Sequence, residues 1–444
     1  MKLPISKLLP VLCFCAAVGT AQAQTVHVPA TPSCHDAITH VTKAEVAAHV
    51  EQALSSLKSL EVLENLREMK VVENLELLAS PARAMQDLDL PELPVLPNLA
   101  QVMAQDLAQE TTGEVYSKSR KVSRSFKVDR ADKLNIENQF GRVDVQTWAK
   151  NEIAVEVTIV ARAVTEAKAQ EILDRININE LRSGGLISFV TQWEPMQIRS
   201  SSEKGFEINY LVRMPKANPL RVSNKYGTVQ LPDFDGPTEL ELKYAKLTTG
   251  SLNNTRNSIT VAYSGGECRL AYVKGGNLNF KYSSMQLAAA DDIRATTAYS
   301  NIGIDKVDVL SMESRYDARF HVGSASQVSG SGSYSNIKIG NLRESASLNV
   351  KYCSGFEISN VASGFRKVDL TGGYTGMALG FADNSAFNFE VDTHYGSLKM
   401  NQDLADFSFK EVRNTSSTYK GKYGKASPKG SVNVSSRYGS IAFN

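Results

Sequence analysis

The chain has 444 residues, 42% of them apolar, with 49 Lys+Arg against 47 Asp+Glu and 5 Cys. That is ample core material for a globular protein and too little cysteine for a disulfide-stapled miniature fold. The apolar content argues against a disordered polyelectrolyte; beyond the first two dozen residues no apolar run is long enough to cross a bilayer, which excludes a polytopic membrane protein, and length alone suggests about three domains.

Residues 1–23 have the three parts of a secretory signal peptide: Lys2 and Lys7, an apolar stretch from Leu8 to Val18, and small residues at Ala21 and Ala23. Neither Cys13 nor Cys15 follows the small-residue triplet of a lipoprotein signal. The expectation is an exported protein, in the periplasm or at the cell surface, with no transmembrane segment in the mature chain. That chain keeps Cys34, Cys268 and Cys353, an odd number, so at least one thiol is free or pairs between chains. Without Lys2 and Lys7 it has 47 charges of each sign. The balance conceals a split: residues 24–112 hold 13 acidic and 5 basic residues, a net of −8, and Gly113 onward is +8.

Residues 24–80 read as an acidic amphipathic helical segment. Val46, Val50, Leu54, Leu57, Leu60, Leu63 and Leu66 fall at helical spacing, with Asp36 as a possible cap and Pro81 as a stop. Residues 81–125, with Pro91, Pro94 and Pro97, read as a Pro-rich acidic linker. The period then changes to two. Residues 126–215 predict a first coil and an α+β cap, with strand alternation at Ile153, Val155, Val157 and Ile159, a helix over about Thr165–Ile176, and strands at Leu186–Trp193 and Phe206–Met214.

Residues 216–444 are periodic. Tyr226, Tyr244, Tyr263, Tyr282, Tyr299, Tyr316, Tyr334, Tyr352, Tyr374, Tyr395, Tyr423 and Tyr438 stand at intervals of 18, 19, 19, 17, 17, 18, 18, 22, 21, 28 and 15. Around each, apolar residues alternate up to the tyrosine, a small residue follows, and the next apolar residue comes three positions on. The break in alternation requires a corner. A short repeat with corners cannot bury its apolar face alone, whereas stacked repeats make a continuous core. The predicted fold is mainly β: a parallel β-solenoid, β-helix-like, of about 11–12 coils, with the α+β N-terminal cap and the N-terminal helical extension. An antiparallel sandwich is the rival, but hairpin turn pairs between runs are nearly absent, Asp235-Gly236 being an exception.

The segments Leu134 to Val145, Trp148 to Val157 and Asn224-Lys225-Tyr226-Gly227, with the recurring Lys-Tyr-Ser and Arg-Tyr-Gly coils, resemble the "putative adhesin" family, a domain of unknown function exported by Gram-negative bacteria. The resemblance covers about residues 120–444. It implies a β-solenoid and an adhesin-like role, and it brings no catalytic residues.

The position before each tyrosine points outward by alternation and is basic at Lys225, Lys243, Lys281, Arg315, Lys351, Lys422 and Arg437. The stripe either solubilises a strand face and keeps sheets apart or docks an acidic partner, such as an anionic glycan, an envelope protein or the chain's own acidic segment. The phase places the tyrosines inside as a structural ladder, with hydroxyls reaching the corner backbone; an exposed ridge for sugar rings is the other reading. No cofactor, metal or nucleic-acid partner is expected. Cys34, His35, Asp36 and His40 lack the second paired motif of a zinc site. Gly330-Ser331-Gly332 lacks the Lys-Ser/Thr ending of a phosphate loop, and Ser55 with Lys58 lacks companion motifs. The expected role is a non-enzymatic interaction or scaffold protein. The alternatives are a polysaccharide lyase or hydrolase, for which Asp291, Asp292, Asp305, Asp308 and Asp317 are the nearest acids, and a regulatory protein whose acidic helix covers the basic face.

Overall fold

The computed structural model describes residues 115–194 and 205–444. The predicted signal, the acidic helical segment, most of the linker, the Cys34 cluster and the Ser55 motif lie outside the described residues. What is described is mainly β, with 23 strands in one hydrogen-bonded sheet of mixed pairing and one α-helix.

The alternating run becomes the strand Glu152–Ala163, in which every second residue from Ile153 to Ala163 is buried. The helix, α1 (Glu166–Asp174), starts where the Thr165 side chain accepts a hydrogen bond from the Lys168 N–H, and it buries Ala169 and Leu173. The strands Leu186–Trp193 and Gly205–Pro215 follow. The expected linker ends earlier than its predicted limit, because Tyr116–Lys127 is a strand paired antiparallel with Glu152–Ala163. With five basic residues and little apolar content, this segment lacks the signature of a buried strand; it is a charged edge strand, the composition that discourages further pairing.

From Leu220 to Phe381 every strand pairing is parallel, and antiparallel pairs are confined to the two ends of the described chain. The strand Ser284–Ala298 runs in register with Asn301–Arg315 from Ser284↔Asn301 to Ala298↔Arg315, an offset of 17 residues. Lys133–Trp148 pairs with Leu220–Leu231 on one edge and with Leu186–Trp193 and Gly205–Pro215 on the other. Its outer edge is therefore paired, not bare. The inward columns, such as Leu240 and Leu242, Ile259 and Val261, and Leu278 and Phe280, join in one continuous apolar core. Each fully buried side chain of this size contributes roughly 1.5–3 kcal/mol.

The corner is built at the tyrosine. All eleven tyrosines of the repeat other than Tyr423 have φ between 50° and 58°, and Phe140, at the matching place in the first repeat, has 59°. A left-handed residue ends the extended backbone on which side-chain alternation depends, so the phase argument that placed the tyrosines inside fails at that residue. The eleven are 43–57% exposed. The residue after each tyrosine turns inward instead. Ser283, Ser300, Asp317, Ser335 and Thr375 are buried and accept hydrogen bonds from the backbone N–H of a neighbouring corner, as in Ser283 N–H to Ser300 Oγ and Cys353 N–H to Thr375 Oγ1.

Stacking in sequence order stops after Tyr374. The strand Gly430–Arg437 lies between Lys367–Gly373 and Phe387–His394, parallel to both, and Phe387–His394 takes Ser416–Tyr423 antiparallel on its other edge. Tyr423 consequently leaves the ladder. It is buried and packs on Phe387 with centroids 5.0 Å apart. The irregular intervals of 28 and 15 residues flank this excursion.

Candidate functional site: an aromatic stack beside a cation column

Because each tyrosine holds the same left-handed corner and neighbouring rungs are in register, twelve rings align in one stack. The spatial order is Phe140, then Tyr226 to Tyr374 in sequence order, then Tyr438, then Tyr395. Centroids are 4.6–5.2 Å apart and neighbouring planes differ by 3–15°. Trp193 and Phe206 close the Phe140 end edge-to-face. The backbone ties each corner to the next: the N–H of Tyr282 donates to the Ala298 carbonyl, that of Tyr299 to Arg315 and that of Tyr316 to Ser333, at 2.9–3.0 Å. Ring stacking worth about 0.5–1.5 kcal/mol per pair offsets a left-handed cost of about 1–2 kcal/mol per residue.

Sequence reasoning missed Phe140, although it occupies the tyrosine's place before Gly141. The available signal was the match between Asn138-Gln139-Phe140-Gly141 and Asn224-Lys225-Tyr226-Gly227, which pair in register.

Ring faces in the stack cover one another, so face-on stacking of sugar rings along the ladder is closed off. Ring edges and phenolic oxygens are presented to solvent. Among the described residues no ladder hydroxyl has a protein hydrogen-bond partner, so the expected bonds from hydroxyl to corner backbone are absent.

The basic column lies beside the stack. Lys225, Lys243, Lys281, Arg315, Lys351 and Arg437 are exposed and fall on one register line. Lys422 leaves it together with Tyr423. It sits half-buried on the antiparallel strand, opposite Asn388 and Asp406. Arg315 pairs with Glu313; the other five on the line have no ion pair among the described residues.

Of the five aspartates singled out in the sequence, four are engaged with different partners, and Asp292 is exposed with no side-chain partner among the described residues. Tyr272 Oη donates to Asp291 at 2.7 Å, and burial together with that carboxylate pushes the phenol up to about 12. Asp308 pairs with Arg343 at 2.7 Å, and Asp305 accepts from Gln286 at 2.6 Å. Asp317 is buried in the corner column, where it accepts from Ser314, Thr297 and the Ser300 N–H; burial raises its pKa, and these bonds oppose the rise. Gly330 is not part of a phosphate loop. It sits inside the strand Arg319–Ser333 with φ 129°, where a Cβ would strike the Met312 carbonyl. Among the described residues, no group of three or more His, Cys, Asp or Glu could hold a metal ion, and no helix is long and apolar enough to cross a membrane.

No family model matches the chain, and no curated protein matches it. Among solved structures the chain is similar to a putative cell adhesion protein from Clostridium sporogenes ATCC 15579, at 9% identity over 73% of this chain and 99% of that one, with a TM-score of 0.18. It is also similar to a putative adhesin from Parabacteroides merdae ATCC 43184, at 8% identity over 73% and 96%, with a TM-score of 0.25. A putative lipid binding protein from Parabacteroides distasonis ATCC 8503 matches at 12% identity over 73% and 96%, with a TM-score of 0.23.

Proposed function

We propose that the chain is an exported, non-enzymatic β-solenoid that acts as an adhesin-like interaction protein of the cell envelope or surface, and that its contact surface is the ribbon of tyrosine edges and cations. The solenoid reading is supported by register: a strand that pairs in parallel along its length with the strand 17–19 residues later requires the chain to complete one circuit per repeat. Residues 126–215 act as the cap at its N-terminal end, supported by the pairing of both edges of Lys133–Trp148. The leader pattern in residues 1–23 supports export.

The observation that carries the function is the single line of exposed cations held in register by the ring stack beside them. Exposed charges with no partner of their own attract polyanions at long range. The engagement of Asp291, Asp305, Asp308 and Asp317 with different protein partners supports binding over catalysis. The test measures binding of the full exported protein to isolated Gram-negative envelopes, with Lys281→Glu, Arg315→Glu and Lys351→Glu combined. The wild type binds in a salt-sensitive manner, and the triple variant, folded by circular dichroism, loses binding. Unchanged binding of the variant overturns the assignment of this face.

A further inference from the structure

The cation line has a period that the sequence order hides. In spatial order from Lys243 the positions before the aromatic corner run Lys243, Ala262, Lys281, Ala298, Arg315, Ser333, Lys351, Gly373, Arg437. From Lys243 to Arg437 every second rung carries a cation and every rung between carries a small uncharged residue; Lys225, one rung before Lys243, lies outside the alternation. Gly373 and Arg437 become neighbours only because Gly430–Arg437 inserts beside Lys367–Gly373. Each rung advances 4.6–5.2 Å along the stack, so neighbouring cations stand twice that distance apart.

Two periods therefore run side by side. One phenolic hydroxyl without a protein partner stands on every rung, and one cation on every second rung. The outward column two residues earlier is largely neutral and hydrogen-bonding, with Thr260, Asn279, Thr296, Ser331 and Asn349; its acids Glu241 and Glu313 are paired to Arg221 and Arg315.

Resting on the reading of this ribbon as the contact surface, we propose that it binds a linear anionic polysaccharide with one acidic group on every second sugar. An extended chain of pyranose units advances by nearly one rung per sugar. Hydroxyls on each sugar then meet the phenolic row, and alternate acids meet the cations. A polymer with an acid on every sugar places half its charges against Ala262, Ala298, Ser333 and Gly373, where nothing compensates their mutual repulsion. A neutral polymer engages none of the cations. Because the sites repeat, affinity rises with ligand length.

The test uses the full exported protein and length-matched oligosaccharides of hyaluronan, with a carboxylate on alternate sugars, of polygalacturonate, with one on each sugar, and of neutral dextran. Titration calorimetry is expected to give hyaluronan the tightest binding. Combining Lys281→Ala, Arg315→Ala and Lys351→Ala weakens it at least about tenfold, as loss of three exposed ion pairs worth a factor of a few each implies. Filling the gaps with Ala262→Lys, Ala298→Lys and Ser333→Lys moves the preference to polygalacturonate. Equal or tighter binding of polygalacturonate by the wild type, or no change of preference in the filled variant, overturns the inference. If neither acidic polymer binds while charge reversal still abolishes envelope binding, the spacing inference falls and the contact face stands. If envelope binding is insensitive to charge reversal as well, both fall.

Discussion

Tyr374 stacks on Tyr438, with centroids 4.6 Å apart, and not on Tyr395, the next tyrosine of the ladder along the chain. Tyr395 stacks on the other face of Tyr438 at 4.8 Å. The last strand-forming segment of the chain thus threads between two rungs made earlier, and it buries Val432, Val434, Ile441 and Phe443 there.

Opening of that end should be local. Val432→Asp places a charge where the native side chain is fully buried, at a cost of several kcal/mol. In a stack whose rungs contact mainly their neighbours, the loss stays near its origin. Hydrogen exchange should speed up across residues 367–444 and stay at wild-type rates across 220–315; uniform acceleration would show that the stack unfolds as one unit.

Within the ladder, ring and hydroxyl separate cleanly. Tyr299→Phe keeps both stacking contacts and removes a hydroxyl that bonds no protein group, so stability should change by less than about 0.5 kcal/mol. Tyr299→Ala loses both contacts and keeps the left-handed strain, for a loss of about 1–3 kcal/mol. Tyr299→Gly should be the more stable of the two truncations, because glycine accepts φ near 52° without penalty. Calorimetric melting ranks the three, and Ala above Gly would remove corner strain from the account.

Asp317 supplies a pH dependence with a definite sign. Burial raises its folded-state pKa above that of the unfolded chain. The unfolded state therefore releases the proton first as pH rises, and the stability present below the unfolded pKa declines until the folded pKa is passed. Asp317→Asn removes this titration, so the variant should gain in melting temperature relative to wild type between acidic and neutral pH. A melting-temperature difference, variant minus wild type, that stays constant or falls over that range contradicts the assignment.

Cys268 and Cys353 are free, buried thiols whose pKa is raised by burial. They lie beside tyrosines five rungs apart, far beyond disulfide reach. Alkylation of the native protein followed by peptide mapping should leave both unmodified, with full modification in denaturant. A Cys268–Cys353 disulfide in the monomer would falsify the rung order.

Much of the architecture was legible because it is local and repeated. Leu278 and Phe280 before Tyr282, and Met285 and Leu287 after it, state an inward face on each side of a break, and seventeen to nineteen residues later the statement recurs. Helix α1 and the strand Leu186–Trp193 were readable for the same reason, since capping at Thr165 and alternation are properties of neighbouring residues. The edge strand Tyr116–Lys127 was not, because its pairing is with residues 25 to 47 positions away and its own composition is that of solvent-facing chain.

The sequence by itself determined the repeat, its inward columns and the outward position before each aromatic corner, because strand alternation and spacing are encoded residue by residue. Only the tertiary structure decided which way the tyrosines face, since one left-handed φ at the ring-bearing residue reverses the direction that alternation assigns. It also decided the order of the last rungs, and with it the alternation of cation and gap that runs through Gly373 to Arg437. Adjacency in a stack is a matter of which backbone edge is free to pair, and the chain can reach that edge out of turn.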